Sequence, residues 1–496
     1  MVLYNLKSVI LNIFIWDSTW SISTACLAVI VVGGFLAIKK LVVRNRRNGN
    51  NLPPGPRGLP ILGYLPFLQK PYHVAFKKLS QQYGPVIRVR LGCKDVVVLN
   101  DLTSIREGLA NTDVLYRPED FSFRYLGLKA IVALNGEPWQ ENRKYSFRLL
   151  KSLGFEKKTM EEHVQPMVVA KALAASAANN VLSLVMGKRY DLDDPLSSFV
   201  EGLLTKFLRH AAIFSHYDFF PLVRFFATYI PNTRMHAMNQ VFSGVSKLVR
   251  DELKEREGNM EAYSDKDFIG GYFKKLQNNN VSSSYYNMRH LEGNSLNFLA
   301  AATNTVRTSV LWNLCIAASD PDGHQARAQR EIDAALGQDS APTWDDRHRL
   351  PYTMATVLET LRWRTIAPLG INRSTGRDTV ICGYDIPAGT IVLPNLWAVH
   401  NDETHWHQPY LYDPTRFLNS DGTAMEQRPQ AFLAFSFGKR GCPGETVALT
   451  EIFLYVATLL QKFRVLPEEG KTMSLDVKNG LIAIVDDTQK LRFIPR

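Results

Sequence analysis

The chain has 496 residues, of which 46% are hydrophobic and 21% are charged, a globular composition that excludes a disordered protein. Its formal net charge of +11 favours an anionic partner. Since the sequence shows no nucleic-acid-binding motif, a membrane surface or an acidic protein explains this charge better than DNA or RNA. The cysteines are widely spaced and odd in number, which argues against a disulfide framework and favours a reducing compartment for most of the chain.

The N-terminus contains a segment long enough to cross a membrane. No charge occurs from Ser18 to Ile38, a span of about 20 residues, and a cluster of lysines and arginines follows over residues 39–47. The positive-inside rule places this basic flank and everything after it on the cytosolic side. A cleaved signal peptide or a buried core helix would be the alternatives, but the apolar region is too long for the first, and its basic flank disfavours the second. We therefore interpret residues 1–50 as a membrane anchor with its flank.

Residues 51–60 form a proline-rich hinge. Proline lacks an N–H group and favours a stiff, extended backbone, so this segment predicts a spacer that holds the following part of the chain in one orientation. By length alone, the remaining residues, 61–496, could hold several ordinary domains or bury one large core. The resemblance described below implies the second, a single catalytic domain.

The strands are predicted near the start and near the end of this domain. The β-branched runs Val86–Leu91 and Val96–Leu99 predict a hairpin around residues 92–95, and residues 383–394 predict further short strands and turns. Helices are predicted for most of the chain in between. The expected fold class is therefore mainly α with a small β-rich region.

Two possible ligand-binding patterns lie on predicted helices. Trp139 and Arg143 share one helix face, where an indole N–H and a guanidinium suit a carboxylate, although a core tryptophan beside a surface arginine would give the same spacing. A long helix is predicted over Ser295–Ser319, which contains neither glycine nor proline. In it, residues 300–302 are alanines that leave room for a flat ligand, and Thr305 either faces that ligand or bonds back to its own helix.

A glycine-containing loop over residues 435–444 runs into the last predicted helix, Glu445 to about Phe463, with Pro443 at its first position. Cys442 then lies at a helix N-terminus, where free N–H groups and the helix dipole favour a thiolate. Gly438 would let the loop approach a flat cofactor, and Phe435 would shield the sulfur from water.

The loop pattern F-x-x-G-x-R-x-C-x-G resembles the haem-binding loop of the cytochrome P450 family, closest to animal microsomal members of the family-2 clan. The resemblance implies haem b as the cofactor and Cys442 as the ligand of the haem iron. It implies that Trp139, Arg143, Arg373 and Arg440 hold the haem propionates. The other cofactor-binding residues it implies are Ala301, Ala302, Phe435, Gly438 and Gly444.

On the opposite side of the haem, the family carries A-G-x-D/E-T on a long helix. Ala302 stands in for the glycine and Thr305 for the threonine that helps to deliver protons during oxygen activation. Asn304 replaces the acid, and because an amide cannot relay a proton as a carboxylate does, its expected role is to position water.

The resemblance also assigns structural and substrate-binding segments. Glu359 and Arg362 match a buried pair that Arg416 completes, although their spacing alone would also fit an exposed pair. The aromatic segment 207–230, which core packing alone could explain, becomes a lid that lines the substrate cavity and touches the membrane. Phe121, Phe123 and Tyr125 fall in a second loop beside that cavity.

The implied function is that of a monooxygenase, an oxidoreductase that inserts one oxygen atom of O2 into a lipophilic steroid, fatty acid or xenobiotic. Electrons would come from NADPH through NADPH–cytochrome P450 reductase, with cytochrome b5 as a second candidate donor. The docking face would include Lys144, Arg148 and Lys439, unless these are simply solvated charges. The protein would be a single-pass, microsomal protein of the endoplasmic reticulum membrane, in contact with lipid, with its catalytic domain in the cytosol.

Two other functions stay open at this point. Asn304 raises the possibility of a haem-thiolate isomerase or dehydratase that acts on oxygenated lipids without a reductase. The other alternative is a non-catalytic, membrane-tethered haem binder.

Overall fold

The computed structural model describes residues 51–119, 130–152, 169–191, 194–210, 216–256, 266–277, 285–479, 482–486 and 489–496. The predicted anchor over residues 1–50 lies outside these ranges. Within them, no helix combines the length and the apolar character that a membrane span requires.

The architecture is mainly helical, as predicted. The helices are α1 (Tyr72–Tyr83), α2 (Leu102–Ala110), α3 (Gly136–Ser152), α4 (Val169–Met186), α5 (Pro195–His210), α6 (His216–Phe219), α7 (Pro221–Tyr229), α8 (Arg234–Glu255), α9 (Phe268–Gln277), α10 (Met288–Ser319), α11 (Ala326–Leu336), α12 (Pro351–Arg364), α13 (Leu396–His400) and α14 (Glu445–Lys462).

Short strands form four small sheets in the described residues. The strands are β1 (Val86–Leu91), β2 (Lys94–Leu99), β3 (Arg373–Ser374), β4 (Thr379–Ile381), β5 (Tyr384–Ile386), β6 (Ile391–Pro394), β7 (Phe463–Pro467), β8 (Lys478–Asn479), β9 (Ala483–Ile484) and β10 (Leu491–Pro495). The largest sheet has the order β1-β2-β6-β3, in which β6 runs parallel to β2.

The predicted hairpin is confirmed, with a tighter turn than expected. Lys94 pairs with Leu91 and Asp95 with Arg90, so only Gly92 and Cys93 remain in the turn. Gly92 adopts a φ of +56°, a left-handed conformation that favours glycine.

Helix α10 crosses the core and packs against α4, α8, α12 and α14. Its predicted C-terminal end at Ser319 is correct, but the helix begins at Met288 and not at Ser295. The side chain of Asn287 accepts a hydrogen bond from the His290 N–H and so caps the true start. The added turns include Gly293, which is buried, because tertiary packing outweighs the weak helix propensity of one glycine.

The predicted buried triad is confirmed. Glu359 and Arg362 are both fully buried, with the Arg362 Nη2 atom 2.7 Å from the Glu359 Oε1 atom. The Arg362 Nε group donates to the other Glu359 oxygen, and the Nη1 group donates to the main-chain carbonyls of His400 and Pro409. The Arg416 Nε atom lies 3.4 Å from the same Glu359 oxygen. The triad therefore fastens α12 to the irregular chain that leads towards the cysteine loop.

Replacing Glu359 by leucine should destabilise the protein by about 3–5 kcal/mol, because the two arginines would stay buried without their counter-charge. Urea unfolding followed by tryptophan fluorescence measures this change. The matched control is Asp251→Asn, which breaks an exposed i,i+4 pair with Lys247 and should move the midpoint little. Equal shifts for the two variants would contradict a structural role for the triad.

Candidate active site

The cysteine loop is held by its own main chain. The Cys442 N–H donates to the Phe435 carbonyl over 2.8 Å, and the Gly441 N–H donates to the Gly438 carbonyl over 2.8 Å. The loop turns at Ser436 and Gly438, where φ is +65° and +75°. Helix α14 begins at Glu445 with Gly444 as its N-cap, so the prediction that Pro443 is the first helical residue is wrong.

Gly438 makes a close contact that the sequence did not predict. A Cβ atom at this position would lie 2.4 Å from the Leu109 carbonyl oxygen, so glycine lets the loop pack against the end of α2. At Gly444, a Cβ atom would meet nothing within 4 Å, and no neighbouring atom excludes a side chain there.

The Cys442 side chain is exposed to a water-sized probe, although protein surrounds it on most sides. This combination is typical of a group in the wall of an internal space. Burial is the main influence on the thiol and raises its pKa, and Glu445 adds to that effect. A hydrogen bond from the Gly444 N–H and the charge of Arg143 act in the opposite direction. Burial thus opposes ionisation of the thiol, whereas the Gly444 N–H and Arg143 favour it, and a bound cation would add to the second effect.

A stripe of α10 supplies a second wall. Ala301 is the only exposed residue between His290 and Ala318, whereas Ala302 and Thr305 are half-buried. Helix α14 packs against α10, and Val447 on its first turn lies in the same buried cluster as Ala300. The exposed alanine and the exposed cysteine thus belong to two neighbouring elements, as a flat ligand between them would require.

The two predicted catalytic residues have different surroundings. The Thr305 hydroxyl donates to the Ala301 carbonyl over 2.7 Å. Asn304 is buried, and its amide nitrogen lies 3.4 Å from the carbonyl oxygens of both Leu204 and Ala300. Asn304 thus bonds to α5, while Thr305 stays on the half-open stripe.

Four arginines converge beside the cysteine loop. Three of them, Arg143, Arg373 and Arg440, were predicted from the sequence to belong to one binding site. Arg373 and Arg440 are buried, and Arg143 is half-buried. Arg117, also buried, is a fourth member that sequence reasoning missed. A bridge between Tyr116 and Ser374 brings the segment that contains Arg117 next to Arg373. No local sequence pattern predicts that pairing.

The four positive charges destabilise one another. Burial, then the charges of Arg373, Arg440 and Arg143, lower the pKa of Arg117. Burial and Arg143 lower the pKa of Arg373 to about 9, and burial with Arg373 and Arg143 lowers that of Arg440 to about 8. Among the residues that the structure describes, no carboxylate forms an ion pair with any of the four.

Several buried donors in this cluster have no acceptor among the described atoms. They are the Trp139 indole N–H and the Nε and Nη1 groups of Arg373. By contrast, Arg440 donates to the main-chain carbonyls of Leu115, Ile131 and Leu134 and stacks 3.7 Å above the Trp139 ring. Since buried donors normally find a partner, the site fits a ligand with carboxylate groups, as the two propionates of haem provide.

The remaining predicted residues are only partly described. Phe121, Phe123 and Tyr125 lie outside the described residues. In the aromatic segment, Phe207 and Phe219 are buried, whereas Phe225, Phe226 and Tyr229 are exposed. The side chains of Lys144, Arg148 and Lys439 are exposed.

Comparison with known proteins agrees with this chemistry. The family model described as Cytochrome P450 matches residues 53–493. Cytochrome P450 1A5 of Gallus gallus is 31% identical, with 91% of this chain and 92% of the relative covered. Cytochrome P450 2J5 of Mus musculus is 28% identical over 88% of this chain and 90% of the relative. Cytochrome P450 18a1 of Drosophila melanogaster is 27% identical, with coverages of 89% and 87%.

The loop, the exposed cysteine, the unpaired donors and these relatives lead to one conclusion. The chain belongs to the cytochrome P450 family, and it is a haem-thiolate monooxygenase whose cofactor is haem b.

Proposed function

We propose that the protein inserts one oxygen atom of O2 into a lipophilic small molecule of the steroid, fatty acid or xenobiotic class, with electrons from NADPH. The observation that supports this proposal best is the buried arginine cluster with unpaired donors beside an exposed cysteine. The cluster suits the acidic edge of haem, and the cysteine suits its iron. Thiolate-ligated haem supplies the oxidising power that attacks unactivated C–H bonds.

The residues of the chain then hold the cofactor in place. Cys442 ligates the iron, and Gly438 lets its loop seat on α2. Trp139, Arg143 and Arg373 donate to the propionates, and Arg440 fixes the Trp139 ring beneath its guanidinium. The other residues assigned to the cofactor are Arg117, Ala301, Ala302, Phe435 and Gly444.

Thr305 is the proposed proton-handling residue. Its hydroxyl hydrogen is used by the Ala301 carbonyl, which leaves the oxygen free to accept a hydrogen bond from water on the half-open stripe. Asn304 supports it from the buried side by fastening α10 to α5. A water held at Thr305 would supply protons where O2 is activated.

The apolar surface of α7 supports a membrane location. Phe225 and Phe226 are about half exposed at 49% and 50%, and Tyr229 is 70% exposed. Such a patch on one short helix suits contact with lipid. With an anchor in residues 1–50, the protein would be a single-pass protein of the endoplasmic reticulum membrane, and α7 would hold the entrance of the substrate cavity at the membrane surface.

The electron donor is proposed to dock on the side of the cysteine loop. Lys144 and Arg148 lie one turn apart on α3, and Lys439 lies three residues before Cys442. All three are exposed, so they can attract an acidic flavoprotein, NADPH–cytochrome P450 reductase, or cytochrome b5.

The decisive experiment combines the full chain with NADPH–cytochrome P450 reductase and a panel of steroids, fatty acids and xenobiotics. We expect at least one compound to change the haem absorption spectrum and to gain one oxygen atom from isotope-labelled O2, strictly dependent on NADPH. Cys442→Ser should abolish the product, because a serine hydroxyl does not replace an anionic sulfur. Conversion of an oxygenated lipid without NADPH would instead support an isomerase or dehydratase.

Arg373→Leu should affect the haem-bound and haem-free proteins in opposite directions. Haem should transfer to apomyoglobin about tenfold faster or more, because a hydrogen bond to a charged group contributes about 1.5–3 kcal/mol. The haem-free protein should become more resistant to urea, since an unpaired buried charge is removed. Arg364→Leu is the matched control: it also removes an arginine whose pKa burial lowers to about 9, but one that stacks on Trp363. Faster transfer in both variants would contradict a specific propionate contact.

Thr305→Val should lower the product formed per NADPH by about tenfold or more, with the difference released as peroxide. Thr303→Val is the control, because its hydroxyl is buried and has no partner among the described atoms. Asn304→Asp should not raise this ratio, because residue 304 lies on the buried side of α10, where a carboxylate could not donate to the Leu204 and Ala300 carbonyls. An unchanged ratio in Thr305→Val would rule out proton handling at residue 305.

A further inference from the structure

The short turn over residues 130–135 gathers the arginine side chains. Its Ile131 carbonyl accepts from the Arg440 Nη1 group over 3.1 Å, and its Val132 carbonyl accepts from the Arg117 Nε group over 2.9 Å. Asn135 closes the turn, because its side-chain oxygen accepts from the Arg117 main-chain N–H over 2.7 Å. The position of this turn therefore sets the positions of two of the four guanidinium groups.

One side chain of α10 connects to that turn. The Asn294 Oδ1 atom accepts from the Ile131 N–H over 2.9 Å, and the Asn294 Nδ2 group donates to the Asn142 Oδ1 atom over 3.2 Å. Both asparagines are fully buried. Asn294 precedes Ala301 by seven residues, about 10 Å along the helix axis, so it lies away from the exposed stripe.

Asn142 carries the connection into α3, between Trp139 and Arg143. Its Oδ1 atom also accepts from the Tyr272 hydroxyl on α9, and its Nδ2 group donates to the Pro138 carbonyl over 3.0 Å. Asn294 and Asn142 thus join α10 to the turn that holds Arg117 and Arg440. They also join α10 to helix α3, which carries Trp139 and Arg143.

We propose that Asn294, acting through Asn142 and the Ile131 main chain, is a positioning residue for the cluster that binds the acidic edge of haem. Among the described residues, its side chain forms no hydrogen bond with an arginine. With Asn294 in place, the Ile131 carbonyl and helix α3 are held in a fixed position relative to each other, and the four guanidinium groups converge. Without it, a buried N–H loses its partner and the turn moves to find another. The inference rests on the propionate site proposed above.

The test compares Asn294→Leu with Asn313→Leu in the purified haem-bound protein. Asn313 is a matched control, because it is a buried asparagine on the same helix, whose side-chain oxygen accepts from Thr360 and whose amide donates to Ser309. Asn294→Leu should speed the transfer of haem to apomyoglobin about five- to tenfold and make the haem reduction potential more negative, as positive charges draw away. Asn313→Leu should lower resistance to urea but leave both haem properties unchanged.

A double variant separates positioning from general weakening. Arg440→Leu should itself speed haem transfer, and adding Asn294→Leu to it should have little further effect, because Asn294 acts through the groups that hold Arg440. If Asn294→Leu does not yield haem-bound protein, Asn294→Ala, which leaves room for water at the Ile131 N–H, takes its place.

The possible outcomes are distinct. Faster transfer in Arg440→Leu without any change in the Asn294 variant would overturn the positioning role and leave the propionate site standing. Additive effects of the two substitutions would overturn it as well. Normal transfer in both single variants would show that the proposed propionate site is wrong.

Discussion

The structure depends on positive charge that is buried without a counter-charge among the described residues. Arg117, Arg373 and Arg440 lie inside the protein. The neighbouring positive charges lower the pKa of Arg117 and of Arg440. Burying a cation costs several kcal/mol unless an anion and hydrogen bonds compensate for it. The buried triad at Glu359 solves the same problem internally, because one carboxylate serves two arginines. The arginine cluster has no carboxylate of its own among the described residues, and the proposed contacts with the haem propionates would supply the negative charge.

The triad and the arginine cluster differ in where their partners come from. The triad satisfies its arginines with main-chain carbonyls and one glutamate, so all its partners come from the chain itself. The Trp139 and Arg373 donors point to a partner from outside the chain. A ligand that binds only the folded protein stabilises it by mass action, so at the proposed propionate site haem binding would stabilise the surrounding turn and helices.

Local patterns allowed much of this to be predicted. The cysteine loop, the hairpin and the triad are each specified by residues close together in sequence or in a recognisable order, and all three are present. The sequence places the start of α10 too late, because the Asn287 cap lies before a glycine, Gly293, that interrupts the apparent helix pattern. The packing of Gly438 against Leu109 could not be predicted, because the two residues are distant in sequence.

The residues that escaped prediction share a physical cause. Arg117 joins the site because its neighbour Tyr116 forms a bridge with Ser374, and Asn294 joins it through a hydrogen bond to residue 131, so each contact spans more than a hundred residues of chain. Nothing in the periodicity or spacing around them distinguishes them from ordinary core polar residues. Hydrogen bonds connect α10, through Asn294 and the turn over residues 130–135, to Arg117 and Arg440. On the proposals made above, the helix that carries Thr305 and the arginines that would bind the haem propionates are therefore coupled through these hydrogen bonds, although no motif marks the residues that couple them.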